Sequence, residues 1–164
     1  MEVRQVDTAE YLSEIIEILR QGREVSIPVK GNSMAPFLRE RRDAVLLGLF
    51  SRKPNKGDVV LYRRSNGQYV LHRIFRRDKN QQYYMEGDAQ NWVEGPIERE
   101  QIKALAVKFR RKGKWIGRNN VCALFFRILW PIKRHIRGIW HYGCRILQLI
   151  KRSAFCLLKK SNIE

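Results

Sequence analysis

The chain has 164 residues, 44% of them hydrophobic and 30% charged, which suits one domain of ordinary size, or a small domain with an attached element, and excludes global disorder. Three cysteines, at 122, 144 and 156, are odd in number and far apart, so neither a disulfide framework nor a cysteine metal site is expected. The formal net charge of +17 is unevenly placed: residues 1–100 hold 17 basic and 15 acidic side chains, while residues 101–164 hold 16 basic ones and a single acid, Glu164.

The polar start, Met1 to Glu10, does not read as a cleavable signal peptide. No uncharged apolar run approaches the roughly 20 residues that span a bilayer. The pattern predicts a helix from Asp7 to Gln21. Asp7 and Glu10 form a capping-box pair, Leu12, Ile15, Ile16 and Leu19 share one face, and Gly22 ends it. The period then changes. Short apolar or alternating runs at Val25–Val29, Ala44–Leu47, Val59–Tyr62, Tyr69–Phe75, Gln82–Met85 and Ala104–Phe109 predict six strands, punctuated at Lys56-Gly57, Asn66-Gly67 and Glu86-Gly87. Asn66-Gly67 is a hairpin signal, since both residues tolerate positive φ. The expected fold is a mostly β, antiparallel domain over residues 23–118, with an N-terminal helix over residues 1–22 and a basic amphipathic helical tail over residues 119–160.

In the tail, Val121 to Ile132 is apolar apart from Arg127, and Pro131 is expected to end or kink the segment. Ile136, Trp140, Gly143, Leu147, Ile150, Ala154 and Leu157 then form one helical stripe, with Arg134, Arg145, Arg152 and Lys159 opposite. With Trp130 and Trp140 these residues suit a helix lying on an anionic membrane surface. The other occupants of such a face are a partner protein packed on the helices, or nucleic acid, although no compact reading motif is present.

Three local features carry chemistry. In Ile27-Pro-Val-Lys-Gly31-Asn32-Ser33-Met34-Ala35-Pro36, Gly31 and Asn32 allow a tight turn after a strand, and Met34 and Pro36 brace it. Such a turn exposes the Ser33 hydroxyl and leaves backbone N–H groups free for a developing oxyanion. His72 lies in a strand, where alternation puts Val70, His72 and Ile74 on one face; it is the histidine outside the basic tail, and imidazole takes and returns protons near neutral pH. Glu86-Gly87-Asp88-Ala89-Gln90-Asn91, followed by Glu94, supplies two carboxylates, either able to orient the histidine as the third member of a triad. The plainer roles are a turn cap for Asp88 and a solvated loop acid for Glu94.

Together these blocks resemble the type I signal peptidase family and its relatives, the protease domains of SOS-type repressors, over about residues 24–108. Gly31 to Pro36 is similar to the family's Ser-Met-x-Pro signature, Gly57-Asp58 with His72-Arg73-Ile74 to the block bearing the general base, and Gly87-Asp88-Ala89-Gln90 to its Gly-Asp-x-Asn turn. The resemblance implies a coiled antiparallel β fold, a shallow groove that takes a precursor peptide as an extended strand, and cleavage after a small residue. Pro28, Met34, Pro36 and Leu71 are the expected groove walls. A histidine base resembles the endoplasmic-reticulum-type and sporulation-type branch, whose later acid is Asp where this chain has Glu94. Gly31 stands where bacterial enzymes carry an oxyanion-hole hydroxyl, so the hole is expected from the Ser33 N–H and Asn32. The family's anchor before the serine is represented only by the first helix, so the tail is expected to attach the protein peripherally, at the cytoplasmic side of a membrane or in the cytoplasm. No metal or cofactor is implied. The alternative is an inactive peptide-binding or regulatory member of the fold, or nucleic-acid binding through the tail.

Overall fold

A computed structural model describes residues 8–50 and 52–128. The expectations for Trp130, Trp140, Arg134, Arg145, Arg152 and Lys159 therefore lie outside the described residues, as does the capping expected of Asp7.

Helix α1 (Thr8–Arg20) buries the four side chains of its apolar stripe, Leu12, Ile15, Ile16 and Leu19. Strands β1 (Val25–Pro28), β2 (Ala44–Gly48), β3 (Val59–Arg63), β4 (Tyr69–Arg77), β5 (Tyr83–Glu86), β6 (Glu94–Ile97), β7 (Ile102–Arg111) and β8 (Lys114–Gly117) make one antiparallel sheet. Its order is β1-β2-β7-β3-β4-β5-β6, with β8 attached to β7. The six expected strands are present, and β6 and β8 are additional. β6 contains Gly95-Pro96, and proline, lacking a ladder donor, is tolerated there because β6 is the last strand of the order. β8 follows a tight turn at Lys112-Gly113, both at positive φ, and pairs Phe109 with Ile116.

Both faces of the sheet are covered at its centre. Val59 and Leu61 point into one core with Leu12, Leu19, Val45, Phe37 and Ala106; Val60 and Tyr62 point into a second with Ile74, Met85, Ile97 and Leu105. Burial on both sides is why β3 reads as a continuous apolar run rather than an alternating one. A fully buried side chain of this size contributes about 1.5–3 kcal/mol. The hairpin of β3 and β4 closes through residues 64–68. Gly67 takes φ +86, while Asn66 acts through its side chain, whose Oδ1 accepts the Gln68 N–H at 3.1 Å.

Residues 121–128 are helical and belong, with the sheet and α1, to the first of two units into which the chain divides, Met1–Ile128. The start of the expected tail is thus part of the β unit, because Ala123 is buried and Phe126 packs against Phe37 with ring centroids 4.9 Å apart. Among the described residues no helix is long and apolar enough to cross a membrane.

Candidate active site

The loop between β1 and β2 carries Ser33. Met34, Phe37 and Leu38 are buried and fix it from below, and the Leu38 N–H donates to the Met34 carbonyl at 2.8 Å. Asp43 closes its far end, accepting the Arg39 N–H at 2.9 Å and the Lys112 N–H at 3.2 Å. Gly31 sits at φ +76, a left-handed conformation that suits glycine.

The same loop docks on the turn after β5. The Ala89 N–H donates to the Ser33 carbonyl at 2.7 Å, and Gln90 Oε1 accepts the Gly87 N–H at 3.1 Å. β5 ends at Glu86, which pairs with Arg73 of β4. Ser33 is therefore held at the point where β5 stops alongside β4, beside the stretch that contains His72. Ser33 and His72 open onto one cavity of about 760 Å³.

His72 is 1% exposed. Its Nδ1 lies 3.2 Å from the Tyr62 hydroxyl, which in turn donates to Glu94 Oε2 at 2.7 Å. Arg64 grips both Glu94 oxygens through Nε and an Nη, and its other Nη donates to Gln68 Oε1 at 2.6 Å. Burial drives the His72 pKa down to about 4, the nearby Glu94 charge opposing this and Arg64 adding to it. Burial, and then the Glu94 carboxylate, push the Tyr62 phenol above its ordinary range, so it stays protonated. Burial also works to raise Glu94, but the hydrogen bonds from Arg64 and Tyr62 outweigh it and hold the carboxyl below its usual range.

The two candidate acids thus separate. Glu94 lies on the His72 side but reaches the imidazole through Tyr62, not by the direct contact expected of a triad acid. Asp88 is fully buried and its two oxygens accept from Arg73 Nε and Nη2 at 2.9 and 2.8 Å. Arg73 also donates to the Gly57 carbonyl at 2.8 Å and stacks its guanidinium over the Phe37 ring at 5.3 Å. Asp88 and Arg73 thereby tie the turn after β5, the turn before β3 and the Ser33 loop together, in place of the turn cap expected of Asp88; Arg73 faces away from His72, as strand alternation predicts.

Of the expected groove residues, Pro28, Gly31, Met34 and Leu71 line the cavity, while Asn32 and Pro36 are exposed and do not. Asn32 is instead used within its turn, its carbonyl accepting the Ala35 N–H at 3.0 Å. Tyr62 and Arg64 were not expected at the site, and nor were Tyr11 and Leu12, which bring α1 to the cavity wall.

Two strand edges border the cavity. Among the described residues β1 pairs with β2 alone. The Val29 N–H donates to the Asp43 carbonyl at 3.0 Å, so by alternation Ser26 and Pro28 turn their main chain to the open edge. On β4, the Ile74 N–H donates to the Asp58 carbonyl at 2.8 Å, so Val70 and His72 bond towards β3 and Tyr69 and Leu71 turn the other way. β5 pairs only from Arg73 onward, and among the described residues no strand covers that side of residues 69–72. No protein-family model matches this chain, and no curated protein matches it.

Proposed function

We propose that this protein is a serine endopeptidase of the signal-peptidase type, cutting an extended precursor peptide after a small residue. The observation that carries the reading is the single groove lined by Ser33 and His72 and bordered by two strand edges that no other described strand covers. A peptide strand entering this groove would bond to the outward main chain of Leu71 on one side and Ser26 on the other, by β-augmentation. Ile27, Val29, Met34 and Leu71 give the groove apolar walls suited to small apolar side chains.

In the proposed reaction, Ser33 Oγ attacks the scissile carbonyl while His72 Nε2 takes its proton. His72 returns that proton to the leaving amine, and an acyl-enzyme remains. Water deprotonated by His72 then releases the acid and the free serine. No acceptor among the described residues takes the Ser33 N–H, which is thus available to the oxyanion. The test is a fluorophosphonate probe together with a panel of labelled peptides. The expected outcome is modification of wild-type protein at Ser33 and none of Ser33→Ala. A folded protein that neither reacts with the probe nor cuts any peptide would leave a peptide-binding module of the same architecture.

We further propose peripheral attachment to an anionic membrane surface. Val121, Phe125 and Ile128, spaced four and three apart, are 82%, 55% and 64% exposed on one side of the helical segment, at the entry to the strongly basic stretch of sequence. Apolar side chains beside arginines suit a headgroup boundary.

A further inference from the structure

Tyr62 does more than fill the second core. Its hydroxyl has one proton, and that proton goes to Glu94 Oε2 at 2.7 Å. Towards His72 Nδ1, 3.2 Å away, the same oxygen can only accept. The contact is therefore satisfied when Nδ1 carries the proton, which leaves the Nε2 lone pair bare. Tyr62 and His72 are diagonal neighbours on one face of the β3–β4 ladder, where Tyr62 pairs with Val70 and His72 with Val60, so the backbone register itself brings the two rings together. Arg64, two residues beyond Tyr62, then locks Glu94 from its other side.

Building on the peptidase reading, we infer that Tyr62 is a positioning residue that relays the Glu94 carboxylate to His72 and holds the imidazole in its Nδ1–H form. The acid–histidine contact of a serine triad is here split into two hydrogen bonds with a phenol between them. The longer arm of Glu94 and its place on the far strand, β6, are matched by the added reach of the tyrosine. The relay needs no proton to cross Tyr62. The phenol keeps its own proton, donated to Glu94, throughout, and the positive charge that His72 gains on taking the serine proton is met by the phenol oxygen, polarised by the carboxylate behind it.

The experiment is nitrogen NMR of the full-length protein with labelled histidine, the His72 signals being assigned by their loss in His72→Gln, alongside peptide kinetics. At neutral pH the wild type is expected to show His72 protonated at Nδ1 and bare at Nε2. Tyr62→Phe is expected to lose that preference and to lower kcat by about 10²-fold with KM little changed. Glu94→Gln, which keeps an acceptor for Tyr62, is expected to retain the tautomer. Wild-type protein with its proton on Nε2 would overturn the relay whether or not Tyr62→Phe folds, and so would a Tyr62→Phe protein with unchanged tautomer and rate. Ser33→Ala separates the two readings: cleavage persisting in it defeats the peptidase, whereas the tautomer measurement judges the relay alone.

Discussion

Gly87 lies against the carbonyl of Ser33 so closely that a Cβ at position 87 would stand 2.7 Å from the Ser33 oxygen and 2.7 Å from Gln90 Oε1. Main chain cannot yield as a flexible side chain does, so Gly87→Ala must move the serine loop. The expected cost is about 1–3 kcal/mol of stability, seen as a lower urea midpoint. Labelling of Ser33 by a fluorophosphonate should slow by at least about tenfold in the fraction that remains folded. Labelling at the wild-type rate would mean that the loop tolerates the shift.

The buried pair of Arg73 and Asp88 has two hydrogen bonds and almost no exposure, at 5% and 0% of the side chains. Asp88→Ala leaves a guanidinium without its carboxylate, and a loss of about 3–5 kcal/mol is expected. Because Asp88 supports the loop and not the imidazole, turnover per folded molecule should stay within a few fold of wild type. A stable Asp88→Ala protein that has lost its activity would instead make this carboxylate part of the chemistry.

Acid should weaken the fold in a definite window. Burial holds the His72 pKa near 4, while in the unfolded chain it returns to about 6.5. Between these values the unfolded state binds the proton and the folded state does not, so stability falls as pH drops from about 6.5 to about 4, by about 3 kcal/mol in all. The depressed Glu94 acts in the same direction, its contribution being lost at lower pH. For catalysis the consequence is reversed in appearance: His72 stays a neutral base well below pH 6.5, so kcat/KM should hold its plateau until the fold itself weakens. Urea titrations of wild type and His72→Gln from pH 4 to 7 check the first part, since the variant should lose most of the slope.

Membrane attachment is checked by co-sedimentation of full-length protein with anionic vesicles at low salt. Serine at Val121, Phe125 and Ile128 together should lower vesicle partitioning by at least about tenfold, given the apolar area removed. Wild-type protein that stays in the supernatant would remove the attachment.

The parts legible in the sequence were those set by local pattern. The α1 stripe, the six strands and the Gly67 turn follow from periodicity and turn chemistry; Ser33 and His72 line one cavity. The relay was hidden because Tyr62 looks like any strand tyrosine. Its role arises from register with β4 and from the approach of β6, both distant in sequence. β6 escaped because Gly95-Pro96 reads as loop, and with it went the position of Glu94. β8 escaped because it is only four residues long and follows directly on the charged turn Arg110-Arg111-Lys112-Gly113. Asp88 and Glu94 could not be told apart by type, since what separates them is the partner each finds: Arg73 on one face of the β3–β4 ladder, Tyr62 on the other.

The register between β2 and β7 sets when the β1–β2 hairpin can join the rest of the sheet. Leu46 pairs with Lys108, and β2 borders the serine loop on its C-terminal side. On the ribosome, the first half of the sheet has no partner for β2 beyond the short β1 until β7 has emerged. Nascent chains that stop before Lys108 should therefore lack the groove that Ser33 and His72 line, so any peptide it takes can be met only after synthesis has passed that point.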